Sequence, residues 1–406
     1  MHFILFVAHN FTVNAIQFIR TFTSIPDIRL GLLAQEPMHL LPQDLQPSLA
    51  AFRLLHNVYD AQELQAVTQE LWTKVAPVHR IIAAVEQLQL PIAQVRAQMG
   101  ITGMDVETAL NFRDKARMKA LLREAGIPCA RYRMVGHIKE AQAFVSVHGF
   151  PVVIKPPAGA GSQATFKANT PSELEQALLA LQVSPTHQAL LEEFVVGTEH
   201  SFDTFSLRGQ PMFHSLTHYY PTPLEVMREP WIQWQVLLPR EVDAHEYDDI
   251  RQNAFQTLQI LGMQTGLSHL EWFRRADGSI AISEVAARPP GAQFPTLISR
   301  ACNFNALEAW ARLMIFDTFQ PPARQYAVGA AYLRGQGQGK VTAIHGLEQL
   351  EKEIGHLVTD AKIPAIGQPA LPSYEGEGYI IVRHEQTEVV RQALQRIVRT
   401  ARIVLS

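Results

Sequence analysis

The sequence predicts a chain that is α/β at its start and α+β thereafter, built as more than one domain. Strand-like and helical stretches alternate over roughly the first hundred residues, then mix without strict alternation, and a short closing stretch carries strand-like runs and a final helix. A chain of 406 residues exceeds what one core ordinarily fills, so two or three domains around a shared cleft are expected. With 47% apolar and 18% charged residues the composition excludes extensive disorder.

The first apolar run, "FILFVA", is too short for a signal peptide or a spanning helix and is followed at once by His9 and Asn10, so it reads as a buried strand. Ala15, Ile16, Phe18, Ile19 and Phe22 then follow a helical period, and "IRLGLLA" and "HRIIAAVE" read as further strands. "PIAQVRAQMG" opens with proline suited to a first helical turn and closes with glycine suited to a cap. No G-x-G-x-x-G follows these strands, so no dinucleotide is assigned.

Farther on, "RDKARMKALLREAG" predicts a helix with Met118, Leu121, Leu122 and Ala125 on one face and a stop at Gly126. "FPVVIKP" predicts a strand, and "TPSELEQALLAL" a helix capped by Thr170, with Pro171 in its first turn and Glu173 closing a capping box. "LLEEFVVGTEHSFDTFS" predicts two strands broken at Gly197. After the break at "QPPARQ", "AVGAAYL" and "YIIVRH" predict strands and "TEVVRQALQRIVRTA" a closing helix. "RGQGQGK" resembles a phosphate loop, but strand-like "VTAI" follows it where a helix would be needed, so it reads as a turn. Internal repeats and low-complexity tracts are absent.

A formal charge of −3 argues against partners that need a large positive field, such as nucleic acid or a membrane surface. Cys129 and Cys302 lack disulfide-framework or metal spacing and suit a reducing, cytoplasmic compartment.

Several stretches carry candidate chemistry. In "VVIKPPAGAGSQATF" Lys155 ends an apolar strand before a glycine-rich turn, fitting either a charge on phosphates or a lysine snorkelling before a flexible hairpin. In "LLEEFVVGTE", Glu192, Glu193 and Glu199 flank a strand end that could supply a nucleoside's amino acceptor, ring contacts and ribose carboxylate, or could be solvated edge charges. In "SHLEWFRRADGSIAISEVAAR", Asp277-Gly278 signals a type I′ hairpin. A two-residue loop there pairs Ala276 with Ser279 and, counting outward, Glu271 with Glu284 and His269 with Ala286. Like charges facing each other call for a shared proton or a cation, and an oxygen-ligated ion such as Mg²⁺ between phosphates meets that need.

Taken in order, "RDKARMK", "VVIKPPAGAGS", "EEFVVGTE", "HLEWF" and "SEVAARPPG" resemble the ATP-grasp superfamily, in particular carboxylate–amine ligases related to bacterial L-amino acid ligases. The resemblance covers nearly the whole chain and implies a Rossmann-like pre-ATP-grasp domain at 1–104. It further implies an ATP-grasp domain at 105–320, with lobes at about 105–188 and 189–320, and a small α+β cap at 321–406. Lys115 and Lys155 match the family's phosphate lysines, and Gly159, Gly161 and Ser162 its phosphate-covering loop. Glu192 matches the acid near the adenine amino group, Glu193 and Val195 the hinge contacts, and Glu199 the ribose carboxylate. Glu271 and Glu284 match the metal ligands, for Mg²⁺ or Mn²⁺, and Arg288 the arginine that stabilises an acyl-phosphate.

One position departs from the pattern. Ala286 stands where many relatives have asparagine, so water or His269 is expected in the vacated space, with a hydrogen-bonded sheet histidine as the alternative account of His269. "SLTHYYPTPLEVMREPW" falls where such ligases place part of their substrate pocket, making His218 and Arg228 candidate substrate contacts. The implied reaction joins a small-molecule carboxylate and an amine, amino acids among them, with ATP as cosubstrate. The alternatives are a carboxylase acting through carboxyphosphate and an ATP-binding protein of weakened activity. A homodimer is compatible with the resemblance.

Overall fold

The first apolar run becomes the centre of a parallel sheet. In the computed structural model, which describes residues 1–158, 164–229, 231–371 and 373–406, β1 (His2–Ala8), β2 (Ile28–Ala34), β3 (Leu49–Leu54) and β4 (Val78–Ile82) lie in the order β3-β2-β1-β4. Every pairing is parallel. Helices α1 (Val13–Ser24), α2 (Ala61–Lys74) and α3 (Gln89–Met99) accompany this sheet, and Gly100 closes α3 in the left-handed region at φ 66°. The strand expected over "HRIIAAVE" stops at Ile82, where β1 offers its last partner, Phe6. Glu86 therefore leaves the sheet and opens a 3₁₀ turn.

The helix expected over "RDKARMKALLREAG" forms as α5 (Lys115–Glu124), and a separate helix, α4 (Val106–Arg113), ends at the first residue of that stretch. Asp114 separates the two: its backbone is extended and its carboxylate accepts the N–H groups of Ala116 and Arg117, capping α5. The break puts Lys115 in the first turn of α5, where its backbone N–H donates to Pro157.

The next lobe is an antiparallel sheet in the order β5-β8-β6-β7, from β5 (Tyr132–Val135), β6 (Val152–Lys155), β7 (Phe166–Ala168) and β8 (Ala189–Glu193), with α6 (Ile138–His148) and α7 (Pro171–Ala180). Thr170 caps α7 as expected, but Glu173 turns back to the N–H of Asn169, one residue beyond the capping-box position. Gly159, Gly161 and Ser162 lie outside the described residues.

The remaining chain builds one large sheet and a small three-stranded one. The second lobe contains β9 (Gly197–Leu207), β10 (Gln210–Tyr220), α8 (Pro223–Arg228), β11 (Gln235–Leu238), α9 (Asp248–Ile260), β12 (Gly266–Arg275), β13 (Ile280–Ala286), α10 (Phe294–Cys302) and α11 (Ala306–Phe316). The C-terminal stretch follows with β14 (Ala327–Leu333), β15 (Gln336–Gly337), β16 (Val341–His345), α12 (Leu347–Ile354), β17 (Val358–Lys362), β18 (Gly378–His384), α13 (Thr387–Thr400) and β19 (Arg402–Leu405). Eight strands run in the order β13-β12-β9-β10-β11-β14-β18-β17, so the C-terminal stretch continues the sheet of the second lobe. Among the described residues no helix is long and apolar enough to cross a membrane.

Candidate active site

Glu271 and Glu284 are direct cross-strand partners, as are His269 and Ala286. The route to that register differs from the expected one. Arg275 N–H donates to Ser279 and Gly278 N–H to Arg275, so the loop is the three residues Ala276 to Gly278, with Gly278 at φ 84°. That shifts the pairing by one: Trp272 meets Ile282, Phe273 meets Ala281 and Arg274 meets Ile280. A β-bulge at Ser283 restores it before Glu284. The bulge lies beside Ile282, whose N–H donates to Pro128 in the segment that leads into β5.

Strand alternation places Glu199, Asp203, His269 and Glu271 on one face of the sheet, since Glu199 pairs with Phe273 and Asp203 with His269 on β12. A cavity of about 550 Å³ lies over this face, closed on its other sides by the first lobe and the N-terminal sheet. Lys115, Lys155, Glu192, Glu193, Val195, Glu199, His269, Glu271, Glu284 and Arg288 all line it.

The cations are tied to acids. Lys115 Nζ lies 2.9 Å from Glu284, and Lys155 Nζ 2.9 Å from Glu192. Glu192 also holds Lys119 at 3.1 Å, so both of its oxygens face lysines. Lys119, fully buried one turn after Lys115 on the same face of α5, went unnoticed in the sequence, although its i,i+4 spacing from Lys115 was visible there. Burial opposes charge on Glu192, yet Lys119 and Lys155 hold its carboxyl below the usual range. Burial likewise opposes charge on Lys155, but Glu192 and Glu284 outweigh it and raise its pKa.

His269 Nδ1 lies 2.7 Å from Asp203, and its Nε2 faces Glu271 at 3.6 Å. Burial works against protonation, but Asp203 and Glu271 push the imidazole up to about 9, so it carries a proton at neutral pH. It is hydrogen-bonded within the sheet, and its second ring nitrogen is turned toward an acid of the cavity. Burial raises the Glu271 carboxyl, and His269 more than reverses this. Glu199, deeply buried near Glu271, is raised well above the usual carboxylate range.

Arg288 follows β13 and donates to the carbonyl of its neighbour Pro289 at 2.9 Å. Its Nε faces Glu86 of the N-terminal domain at 3.9 Å, while Arg113 Nη1 donates to the other Glu86 oxygen at 2.9 Å. Burial and the nearby Glu284 raise the Glu86 carboxyl. No local motif marks Glu86, because its partners lie in other parts of the chain.

At the opposite end Ala130, Val153, Phe194, Val195 and Phe273 give the cavity an apolar wall beside Glu193. Glu193 accepts from Arg275 at 2.9 Å and from the Arg131 N–H at 3.0 Å, and its own N–H donates to Arg131.

His218 and Arg228 do not line this cavity, and both expectations are corrected. On β10 it is Tyr219 that faces the cavity, so period-two alternation turns His218 to the opposite face. There it lies 2.9 Å from His200 Nδ1 and 3.1 Å from the Tyr247 hydroxyl. Arg228 is exposed in the last turn of α8, whose Glu225 is spent on a capping box with Thr222.

The donor set fits a hard divalent cation: two opposed carboxylates, neutralised at present by N–H cations that a metal could displace. Among the described residues no group of three or more His, Cys, Asp or Glu side chains is arranged to hold a metal, so phosphate or water oxygens would complete the shell.

Two α+β lobes gripping a cleft lined by paired lysines, opposed carboxylates and an arginine define an ATP-grasp fold. Residues 148–296 match the model of the ATP-grasp domain, and the chain carries that domain. It is 25% identical over 268 residues to an L-arginine-specific L-amino acid ligase of Bacillus subtilis, covering 65% of this chain and 64% of that one, just under two thirds of the relative's length. Its fold matches the crystal structure of an L-amino acid ligase from Bacillus licheniformis at a TM-score of 0.78 and 16% identity, over 100% of this chain and 99% of that one. It also matches N5-carboxyaminoimidazole ribonucleotide synthetase from Thermotoga maritima, at 0.71 and 17% identity over 100% of both chains. At these identities the structural likeness is one of fold.

Proposed function

We propose that this chain is an ATP-dependent carboxylate–amine ligase that forms an amide or peptide bond through an acyl-phosphate, releasing ADP and phosphate. The observation that carries the reading is the direct opposition of Glu271 and Glu284 in a cavity shared with Lys115, Lys155 and Arg288. Amino acids are the favoured substrate class, in keeping with the L-amino acid ligase relative.

A substrate carboxylate oxygen attacks the γ-phosphorus of ATP, and ADP leaves. An amine nitrogen then attacks the carbonyl carbon, loses a proton, and phosphate leaves. Both steps depend on alignment and charge stabilisation rather than on a covalent enzyme group. Lys155, buried and kept charged by Glu192 and Glu284, serves as a fixed point charge on the phosphates, with Lys115 beside it. Arg288 meets the negative charge that develops on the acyl-phosphate. Glu271 and Glu284 would hold Mg²⁺, with Mn²⁺ as the alternative, and the ion's part is to offset phosphate charge and orient the γ-phosphoryl group. Ala286 offers no ligand there, so water would complete the shell, while His269 faces Glu271 from the side.

The test is ADP release from ATP and Mg²⁺ with pooled amino acids and other carboxylates, followed by mass spectrometry of the products. Turnover that rises only with a carboxylate and an amine together is the expected result. Turnover driven by bicarbonate without amine would select the carboxylase reading, and no stimulation by any mixture would end the ligase reading.

A further inference from the structure

The end of the cavity beyond Arg288 is built of aromatic rings. The Phe294 ring meets the His269 imidazole edge-on at 5.6 Å, and Tyr219 follows at 6.1 Å from Phe294. Trp234 lies 5.8 Å from Tyr219, and Tyr374 5.4 Å from Trp234. All of these rings line the cavity, and Phe18 of α1 lines it as well. The series therefore begins at the imidazole beside Glu271, where the carboxylate would be activated.

Charge is distributed unevenly along the same cavity. Among the described residues every lysine, arginine and glutamate that lines it stands at the nucleotide end or around Glu271, Glu284 and Arg288, and no aspartate lines it. The residues outside the described set are Gly159, Ala160, Gly161, Ser162, Gln163, Pro230 and Pro372, none of them charged. The turn before α1 adds His9, Asn10 and Thr12 to the lining and α1 adds Asn14, none of them a lysine, an arginine or an acid. Beyond His269, whose ring is already paired with Asp203 and faces Glu271, a charged substituent would lose water without gaining a counter-charge, whereas an apolar one gains from burial against the rings.

On the ligase reading, we propose that the activated carboxylate substrate is an amino acid with an uncharged apolar or aromatic side chain, which lies against Phe294, Tyr219, Trp234 and Tyr374. The arginine side chain named for the Bacillus subtilis relative is then a poor fit here.

Hydroxylamine in place of the amine isolates the first substrate. The acyl-phosphate is intercepted by the hydroxylamine nitrogen, phosphate leaves, and a hydroxamate forms that an iron colour assay detects. Phenylalanine, leucine and methionine are each compared with arginine and glutamate at fixed ATP and Mg²⁺. The expected result is a kcat/KM at least about tenfold higher for the apolar set, the scale on which hydrophobic pockets discriminate. A preference for arginine or glutamate overturns this inference and leaves the ligase reading intact. No hydroxamate from any carboxylate ends the ligase reading, and this inference with it. Tyr374→Ala, at the half-buried end of the series, is expected to raise KM for phenylalanine about tenfold with KM for ATP unchanged. Equal changes in both constants would count against the assignment.

Discussion

Glu271 and Glu284 meet across β12 and β13 because two irregularities cancel. The three-residue turn moves the hairpin by one residue, and the extra residue at Ser283 moves it back. Without the bulge, Glu271 would face Ser283, and the acids would stand on opposite sides of the sheet.

Glu284→Gln keeps the shape of the side chain and removes its charge. Metal-dependent ADP release is expected to fall about 10²- to 10³-fold, the scale seen when one preorganised electrostatic group is lost. Circular dichroism should show the fold retained. Near wild-type turnover in this variant would remove the metal assignment.

Glu192→Ala leaves fully buried Lys119 and nearly buried Lys155 without their shared acid. Removing one partner of a buried ion pair costs about 3–5 kcal/mol, and a loss on that scale is expected in urea denaturation. Adding Lys119→Met should recover part of it. A loss below about 1 kcal/mol would mean that solvent reaches these lysines in solution.

Glu86→Gln tests whether the N-terminal domain orients Arg288. The acid faces Arg288 Nε at 3.9 Å and is anchored by Arg113. Since small misplacements of a catalytic group are expensive, kcat should fall about tenfold while KM for ATP stays constant. Equal effects on both constants would make Glu86 a structural contact only.

The His200–His218 pair on the far face of the sheet predicts an acid limb in the stability profile. Burial lowers His200 to about 3 and His218 to about 4, from the usual 6.5, with His218 and Arg274 adding to it at His200 and Arg391 at His218. Below pH 6.5 the unfolded chain takes up protons that the folded one refuses. The folded state is therefore unpenalised above about 6.5, loses stability as pH falls, and levels off once both have titrated at about 3. Melting temperatures of wild type and His218→Gln between pH 7 and 4 should diverge in slope, with the variant flatter. Parallel slopes would remove the pair as the source.

Much of this was legible in the sequence, for physical reasons that also explain the rest. Strands such as β1, β2 and β14 are continuous apolar runs, readable because both faces are buried. Helix α5 was readable from its apolar face, whereas α4 was not, because its buried side includes polar Thr108 and Asn111. Lys115, Lys155 and the cleft acids could be named from motif order, but the ion pairs among them depend on distant segments. The register of Glu271 with Glu284 was anticipated through a two-residue loop that does not form, since neither loop length nor a bulge at serine has a strong local signature. His218 was misplaced by one residue because alternation reveals two faces without saying which one meets the ligand.

The unbroken sheet from β13 to β17 means that the C-terminal stretch serves as masonry for the cleft. Tyr332 stacks on Trp234 at 4.8 Å, and its backbone N–H donates to the Trp234 carbonyl. Cutting the chain after Gln320 would bare the flank of β11 along Gln235–Leu238, now paired with β14, and leave Trp234, a ring of the cavity wall, unsupported. Such a flank is a template for joining other chains. The shortened protein should therefore aggregate instead of persisting as a smaller folded chain.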